Sequence, residues 1–182
     1  MNVILYFILL LMELIILMGI SIYGVGLLFS AIKGAPYVPT SKKQFEKIFK
    51  NVKLKKGDIL IELGSGDGRL TRYAAKTFGI EGVGIEINPL LIWWSRFLSQ
   101  KDGTKKTVRF LRKNIFDYPL NHADYLYLFL MPDLIVKLLP KFSKELKKGV
   151  IIISHGFKII GYEKKLIHTE FDKMFSTYYY KV

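Results

Sequence analysis

The sequence predicts a doubly wound, Rossmann-like α/β sheet behind a single apolar N-terminal helix. Three observations carry this. Ile59 to Leu63 is an apolar run broken only by Glu62, and it opens directly onto Gly64-Ser65-Gly66-Asp67-Gly68. A second short run, Val83 to Ile87, carries another acid, Glu86, 20 residues after Gly66; acid, glycine loop and second acid in that register are the layout of a nucleoside-binding βαβ unit. Apolar and amphipathic runs then alternate to the C-terminus, the pattern of a parallel sheet with helices on both faces.

The first element is Val3 to Ile32, nearly all apolar and interrupted by Glu13. At about 1.5 Å per residue it is long enough to cross a hydrocarbon core of roughly 30 Å. A central acid costs about 2.5–3.5 kcal/mol, whereas each Leu, Ile, Phe or Val returns about 0.3–0.6. More than a dozen of those are present, so insertion wins. A cleaved signal peptide is the alternative, but the segment lacks a basic start and is longer than a signal core. Glu13 is either a functional contact within the span or a residue that sits protonated or reaches toward the interface.

Eight lysines follow before Gly57 (Lys33, Lys42, Lys43, Lys47, Lys50, Lys53, Lys55 and Lys56) against the single acid Glu46. The positive-inside rule then predicts a single-pass membrane protein with its C-terminal domain in the cytoplasm, held near anionic lipid by this basic flank. Three regions are expected: an anchor over 1–32, a basic juxtamembrane linker and helix over 33–56, and the main domain over 57–182.

In that linker Pro36-Tyr37-Val38-Pro39-Thr40 reads as extended chain. Ser41 and Gln44 form a capping-box pattern ahead of an apolar face of Phe45, Ile48, Phe49 and Val52, and Gly57-Asp58 ends the helix. Ile59 to Leu63 is the first strand; Arg69 to Phe78 is a helix closed by Gly79; Val83 to Ile87 is the second strand. Pro89 suits the first turn of a helix running to about Gln100. Val108 to Leu111 is the third strand. Ala123 to Leu130, a continuous apolar run, is a fourth strand covered on both faces. Pro132 starts a helix that Pro140 should bend or split. Val150 to Ser154 is the fifth strand, and Tyr162 to Phe171 and Phe175 to Val182 read as a closing hairpin. Only eight residues, His155 to Tyr162, precede the sixth strand, little room for a crossover helix.

Composition narrows the chemistry. At 182 residues one domain is expected. The absence of cysteine excludes disulfides, thiolate metal sites and a cysteine nucleophile. His122, His155 and His168 lack the i, i+4 spacing of a zinc helix, so no metal is expected. The net charge is +13, and because Glu13 is the only charged side chain among residues 1–32, the rest carries +14. That favours an anionic partner, whether acidic lipid, nucleic acid or an acidic protein face, or else a lysine-rich solubilising surface.

The glycine loop departs from the dinucleotide pattern. G-x-G-x-x-G would place its third glycine where Arg69 stands; here it comes one residue early, at Gly68. The compression fits a ligand without pyrophosphate, namely S-adenosylmethionine, with Ser65 and Asp67 completing the loop Gly64 to Gly68. Gly64 and Gly66 allow close backbone approach, and the following helix N-terminus favours the methionine carboxylate. Glu62 can meet the amine directly or through water, and Glu86 can accept both ribose hydroxyls. After the third strand, Asn114 can accept from the adenine amino group and the Ile115 amide can face the ring nitrogen, although Asn114 also reads as a turn residue. Past the fourth strand, Phe129-Leu130-Met131-Pro132 supplies no polar group for a planar amide or amine; Phe129 and Pro132, with Tyr37, suit an apolar slot for the stem of lysine, and equally read as core and helix start. Trp93 and Trp94, at neighbouring helix positions, cannot share one face, so at least one is expected in the core.

Pro36-Tyr37-Val38-Pro39-Thr40, Glu62-Leu63-Gly64-Ser65-Gly66-Asp67-Gly68-Arg69 and Gly84-Ile85-Glu86-Ile87-Asn88-Pro89-Leu90-Leu91-Ile92-Trp93-Trp94-Ser95-Arg96 together resemble one family. It is the membrane-associated seven-stranded protein-lysine methyltransferases that modify the ATP synthase c-subunit and the adenine nucleotide translocase, with their prokaryotic relatives. The last run is the most specific. The match departs at Asn114, where relatives often have Asp, and fades after Gly156. The resemblance implies a class I S-adenosylmethionine-dependent methyltransferase acting on a protein lysine, with a membrane protein as substrate. Two alternatives stay open: a methyltransferase of RNA, DNA or a lipid-soluble small molecule, and a membrane-tethered protein that binds S-adenosylmethionine without catalysis.

Overall fold

The structure, a computed structural model, describes residues 3–32 and 42–182. Helix α1 spans Val3–Ile32, and every side chain from Val3 to Ser21 is exposed on it. The expected linker 36–40, with Tyr37, and the capping serine Ser41 lie outside the described residues.

The remaining chain builds a seven-stranded sheet in the order β3-β2-β1-β4-β5-β7-β6. The strands are β1 (Ile59–Leu63), β2 (Glu81–Glu86), β3 (Val108–Arg112), β4 (Tyr125–Leu128), β5 (Ile151–His155), β6 (Leu166–Glu170) and β7 (Thr177–Lys181). β1 to β5 are parallel, while β7 is antiparallel to both β5 and β6. Strand order reverses at β1, between β2 and β4, and in open α/β sheets the crevice past the strand ends at this switch point is where ligands bind.

Because side chains alternate along a strand, β1 feeds two cores. Ile61 and Leu63 join Ile135, Leu138 and Phe142 of α5 (Pro132–Glu145) on one face. Leu60 joins the other face, covered by α2 (Lys42–Lys50), α3 (Arg69–Phe78) and α4 (Pro89–Lys101). The helix stops follow the expected residues: Gly79 takes φ 69 as the C-cap of α3, and Asn88 caps α4 with its side-chain oxygen 3.0 Å from Leu90 N.

Several expectations are corrected. α2 ends at Lys50 rather than at Gly57, because Phe45, Ile48 and Phe49 have already buried its apolar face and the Tyr179 hydroxyl donates to the Ile48 carbonyl at 2.8 Å. β4 is shorter than the apolar run 123–130, since its pairing ends with that of β1 at Leu63 beside Leu128. Pro140 does not split α5; the carbonyl its ring leaves without an N–H belongs to exposed Val136, where water can serve. No crossover helix links β5 to β6. A loop and the 3₁₀ turn Glu163–Lys165 suffice, and Tyr162 stays below the strand as buried core. The hairpin of β6 and β7 is present, with Tyr179 and Tyr180 buried on opposite faces. Both Trp93 and Trp94 are exposed and their ring centroids lie 6.1 Å apart, so, against expectation, neither is core and the two share one side of α4.

Candidate active site

The glycine loop turns between β1 and α3 with φ of 76, 55 and 72° at Gly64, Gly66 and Gly68. Each value lies in the left-handed region that glycine enters without penalty. At Gly68 side-chain freedom is also excluded by contact: a Cβ there would lie 2.2 Å from the Phe110 ring.

The loop's N–H groups point inward. Gly64 and Ser65 both donate to the Ile85 carbonyl at 2.9 and 3.0 Å, and Gly68 donates to Ser65 O at 2.8 Å. Gly66 N donates to Glu86 Oε2 at 3.0 Å, while Glu86 Oε1 accepts from the Ile87 and Asn88 amides, both at 2.9 Å. The second acid is thereby locked at the end of β2 against the loop. The hydroxyl of Ser65 is buried and has no partner among the described residues.

The N-terminus of α3 is capped by two carboxylates of the chain itself. Asp67 Oδ1 accepts from Arg69 N at 3.1 Å, and Glu62 Oε2 accepts from Thr71 N at 3.2 Å and from the Thr71 hydroxyl. Two of the donors at this helix end, expected to serve a ligand carboxylate, therefore already have acceptors within the chain. Asp67 also grips the Arg69 guanidinium, with Nη2 to Oδ2 at 2.7 Å. Burial would raise the Asp67 carboxyl, but the Arg69 hydrogen bonds and charge hold it below the usual carboxylate range. Glu62 has no such cation. Burial, only partly offset by the Thr71 hydrogen bonds and aided by the nearby charges of Asp67 and Glu86, pushes it up to about 8. Its Oε1 makes no hydrogen bond among the described residues.

A cleft opens beside this assembly, lined by Gly64, Glu86, Ile87, Asn114, Ile115, Phe116, Leu130 and Leu134. Of the sequence-predicted residues it brings together Gly64, Glu86, Asn114 and Ile115. Glu62, Ser65, Gly66, Asp67 and Gly68 are not in its lining and form the wall's support. Asn114 Oδ1 accepts from Phe116 N at 3.2 Å, so it is a turn residue, and its exposed oxygen keeps a second lone pair. The Ile115 N–H makes no hydrogen bond among the described residues. Sequence reasoning missed Ile87, Phe116, Leu130 and Leu134. Ile87 was available as the residue after the ribose acid; Leu130 was not, because only the fold sets its Cδ2 3.0 Å from where a Gly64 Cβ would stand.

Past β4 the chain turns through Phe129, on the α2 side of the sheet, to Pro132, the first residue of α5. Phe129 packs edge-on against His155 and Phe175, with ring centroids 4.7 and 5.0 Å away. His155 ends β5, is 2% exposed, and shares a 2.8 Å hydrogen bond between Nδ1 and Thr177 Oγ1; its Nε2 has no partner among the described residues. Burial, slightly opposed by Asp172, pushes its pKa down to about 4, so the imidazole is neutral at physiological pH. Nothing in the sequence singled out His155, since Thr177 lies 22 residues away.

The family model of the ANTKMT methyltransferase domain matches residues 62–165. A protein-lysine N-methyltransferase of Saccharolobus islandicus is 34% identical over 152 residues, covering 82% of this chain and 94% of that protein. The chain belongs to the ANTKMT methyltransferase family.

The human lysine N-methyltransferase of the ATP synthase c-subunit is 31% identical over 122 residues, 67% of this chain, and the chain spans about half of that protein, 52%. For the mouse adenine nucleotide translocase lysine N-methyltransferase the identity is 30% over 125 residues, 68% of this chain and 54% of that protein. Among solved structures, an RNA methyltransferase of Salinibacter ruber in complex with S-adenosyl-L-homocysteine superposes with a TM-score of 0.75 at 30% identity, over 80% of this chain and 94% of that one. The fold is thus that of class I methyltransferases, and this chain is an S-adenosylmethionine-dependent methyltransferase. Its residues fit that cofactor: Glu86 stands at the cleft with an acceptor site left for a hydroxyl, and Gly64 leaves space that a Cβ would fill against Leu130.

Proposed function

We propose that this chain methylates the ε-amine of a lysine in a membrane-associated protein. The observation that carries the reading is the 34% identity to a protein-lysine N-methyltransferase over 94% of that protein's length. When bound, the cofactor would supply an electrophilic methyl on its sulfonium, for transfer to a neutral lysine nitrogen with the carbon–sulfur pair leaving on S-adenosylhomocysteine and the amine proton going to water.

The chain's own residues have the following tasks. Glu86, whose Oε1 already accepts from Ile87 and Asn88 and whose Oε2 accepts from Gly66, would take a ribose hydroxyl on the remaining lone pair of Oε2. Glu62, buried behind the loop with its Oε1 unused by Thr71, would answer the charge of the methionine ammonium. Ile115 N–H and the Asn114 oxygen would meet the adenine edge, and Ile87, Phe116 and Leu130, which line the same cleft, would exclude water from its faces. Gly64, Ser65, Gly66, Asp67 and Gly68 hold the shape of the wall. The slot for the lysine stem is assigned to Phe129 and Pro132; Tyr37, assigned to it from the sequence, lies outside the described residues. Lysine has a reference pKa of about 10.4, so neutralising it at pH 7 costs roughly 4–5 kcal/mol. A dry slot beside a sulfonium lowers that pKa, and the neutral His155 adds no second cation. Alignment of amine and methyl supplies the rest of the rate.

Helix α1 is long and apolar enough to cross a membrane. Its place as a retained single-pass anchor, with residues 57–182 as the cytoplasmic methyltransferase domain, is part of this proposal. Carbonate extraction that frees the full chain from membranes refutes the anchor.

A second reading is methylation of RNA, favoured by the likeness to the Salinibacter RNA methyltransferase and by the charge of +14 after residue 32. One assay separates the two. Native membranes and total RNA are incubated with labelled S-adenosylmethionine and the protein or its Glu86→Ala variant, then digested with protease or nuclease. Label removed by protease and recovered as methyl-lysine supports the proposal; label removed only by nuclease, or extracted with lipid, rejects it.

A further inference from the structure

Helix α4 is apolar on two sides. One side, with Leu91 and Ile92, is buried with Ser95 and Ser99 against the sheet, and Arg96 pins it there by donating Nε and Nη2 to the Phe110 carbonyl at 3.0 and 2.8 Å. The other side faces outward. Leu90, Trp93, Trp94 and Phe97 are spaced i, i+3, i+4, i+7, which places them in one stripe. They are 39, 65, 42 and 48% exposed. Phe97 stacks on both indoles, with centroids 5.3 Å apart for Trp94 and 6.2 Å for Trp93, and the two indoles are tilted against each other at 6.1 Å. A soluble surface gains nothing from such a plate, and contiguous exposed apolar patches mark interaction sites.

The chemistry beside the plate selects the partner. Lys105 and Arg109 line the same groove as Trp93 and Phe97. From Pro89 to Lys113 there are seven Lys or Arg residues against one acid, Asp102, and that acid is paired with Arg72. Indole rings settle at the headgroup level of a bilayer, where an apolar body and a polar N–H are both satisfied, and cations beside them meet lipid phosphates. A nucleic-acid groove would instead track phosphates with rings set singly for base stacking; here leucine and a ring cluster on a helical stripe fit an acyl boundary better.

We propose that the outward stripe of α4, Leu90, Trp93, Trp94 and Phe97, docks the catalytic domain onto an anionic bilayer, with Lys105 and Arg109 on the lipid phosphates. This orients the domain rather than merely tethering it. The inference relies on the reading of α1 as an anchor only to bring the bilayer close.

Trp93 and Trp94 are the only tryptophans of the chain, so tryptophan emission, excited selectively over the tyrosines, reports on this stripe alone. The full chain is placed in nanodiscs of phosphatidylcholine, with or without phosphatidylglycerol at roughly one lipid in three, using acyl chains brominated near the headgroup. Docking gives a blue-shifted emission and strong quenching in the anionic discs. Raising salt to about 1 M, where the screening length is about 3 Å, reverses it. So does the double variant Lys105→Glu and Arg109→Glu, which leaves both tryptophans in place and binding of S-adenosylhomocysteine unchanged. Unquenched emission in anionic discs from a chain that resists carbonate extraction overturns the docking and leaves the anchor standing. Equal quenching with and without acidic lipid overturns the phosphate contacts. An emission shift with an RNA oligonucleotide, but none with the bilayer, reassigns the surface to nucleic acid and overturns the proposal.

Discussion

Replacing Glu62 with glutamine tests how the cofactor's positive end is held. Glu62 is pushed up to about 8 by burial, so at pH 7 it carries its proton in about 90% of molecules. If the methionine ammonium settles within about 4–6 Å of it, that charge lowers the carboxyl pKa by about 1–3 units. Binding at pH 7 then releases on the order of 0.4–0.9 proton from this one group. Titration calorimetry of S-adenosylhomocysteine in two buffers of different ionisation enthalpy measures that number directly. The wild-type chain should show the release at pH 7 and lose it at pH 9 or above, where Glu62 is already ionised. Glu62→Gln should show none at either pH while binding more weakly. Stability supplies an independent check of sign. A folded pKa raised above the ordinary value of 4.5 gives stabilisation that is complete below that value and lost as pH rises toward about 8. The loss is on the order of 5 kcal/mol. The Glu62→Gln variant has no carboxyl to titrate, so its melting temperature should change less across this window. A wild-type binding enthalpy that ignores the buffer, or a release that persists in Glu62→Gln, refutes the role.

Three further outcomes are expected. Glu86→Ala leaves the Gly66, Ile87 and Asn88 amides without their acceptor, and S-adenosylhomocysteine affinity should fall about 10- to 100-fold by calorimetry while the circular dichroism spectrum remains folded. Gly68→Ala must hold a Cβ at φ 72, 2.2 Å from the Phe110 ring; with about 1–2 kcal/mol for the left-handed backbone and about 1–3 for overpacking, its melting temperature should drop by on the order of 10 °C. His155, pushed down to about 4, gives stabilisation that is present above the ordinary value of 6.5 and lost as pH falls toward 4; the melting temperature of His155→Gln should depend less on pH across that range, and the wild-type rate should show no histidine ionisation between about pH 5 and 8.

How far the sequence could be read depended on the range of the interactions. Gly79 as a helix stop, Asn88-Pro89 as a helix start and the loop from Gly64 to Gly68 are local, since the backbone geometry is demanded by the residues that adopt it. The alternating Tyr178-Tyr179-Tyr180 strand was legible for the same reason. The partners of the functional groups were not. Glu62 meets Thr71 nine residues on, and His155 meets Thr177 across the β5–β7 pair; no spacing rule anticipates either. The outward stripe of α4 was present in the sequence as i, i+3, i+4, i+7, yet periodicity does not say which of two apolar sides faces the sheet. Burial of Leu91 and Ile92 decides it. The crossover from β5 to β6 needs no helix because β6 occupies the sheet edge and pairs only with β7.

The same inward-turned loop gives the compressed glycine motif a way to discriminate against a pyrophosphate. A dinucleotide site offers loop N–H groups and a helix N-terminus to a pyrophosphate. Here the N–H groups of Gly64, Ser65, Gly66 and Gly68 all have acceptors within the chain. The helix end is already occupied by Asp67 and Glu62. An arriving phosphate would find few donors and would meet Glu86 at the cleft wall, with only Asp67 of the three acids paired to an arginine. In the proposed reading, a ligand with an ammonium, a sulfonium and a ribose would meet the opposite situation: Glu62 would gain stabilisation by ionising beside the ammonium, and Glu86 would find a hydroxyl donor. The early third glycine matters for this geometry, because at Gly68 it lets the chain enter α3 in time for Thr71 to face Glu62, which keeps that acid buried, largely protonated and responsive to the charge of the ligand.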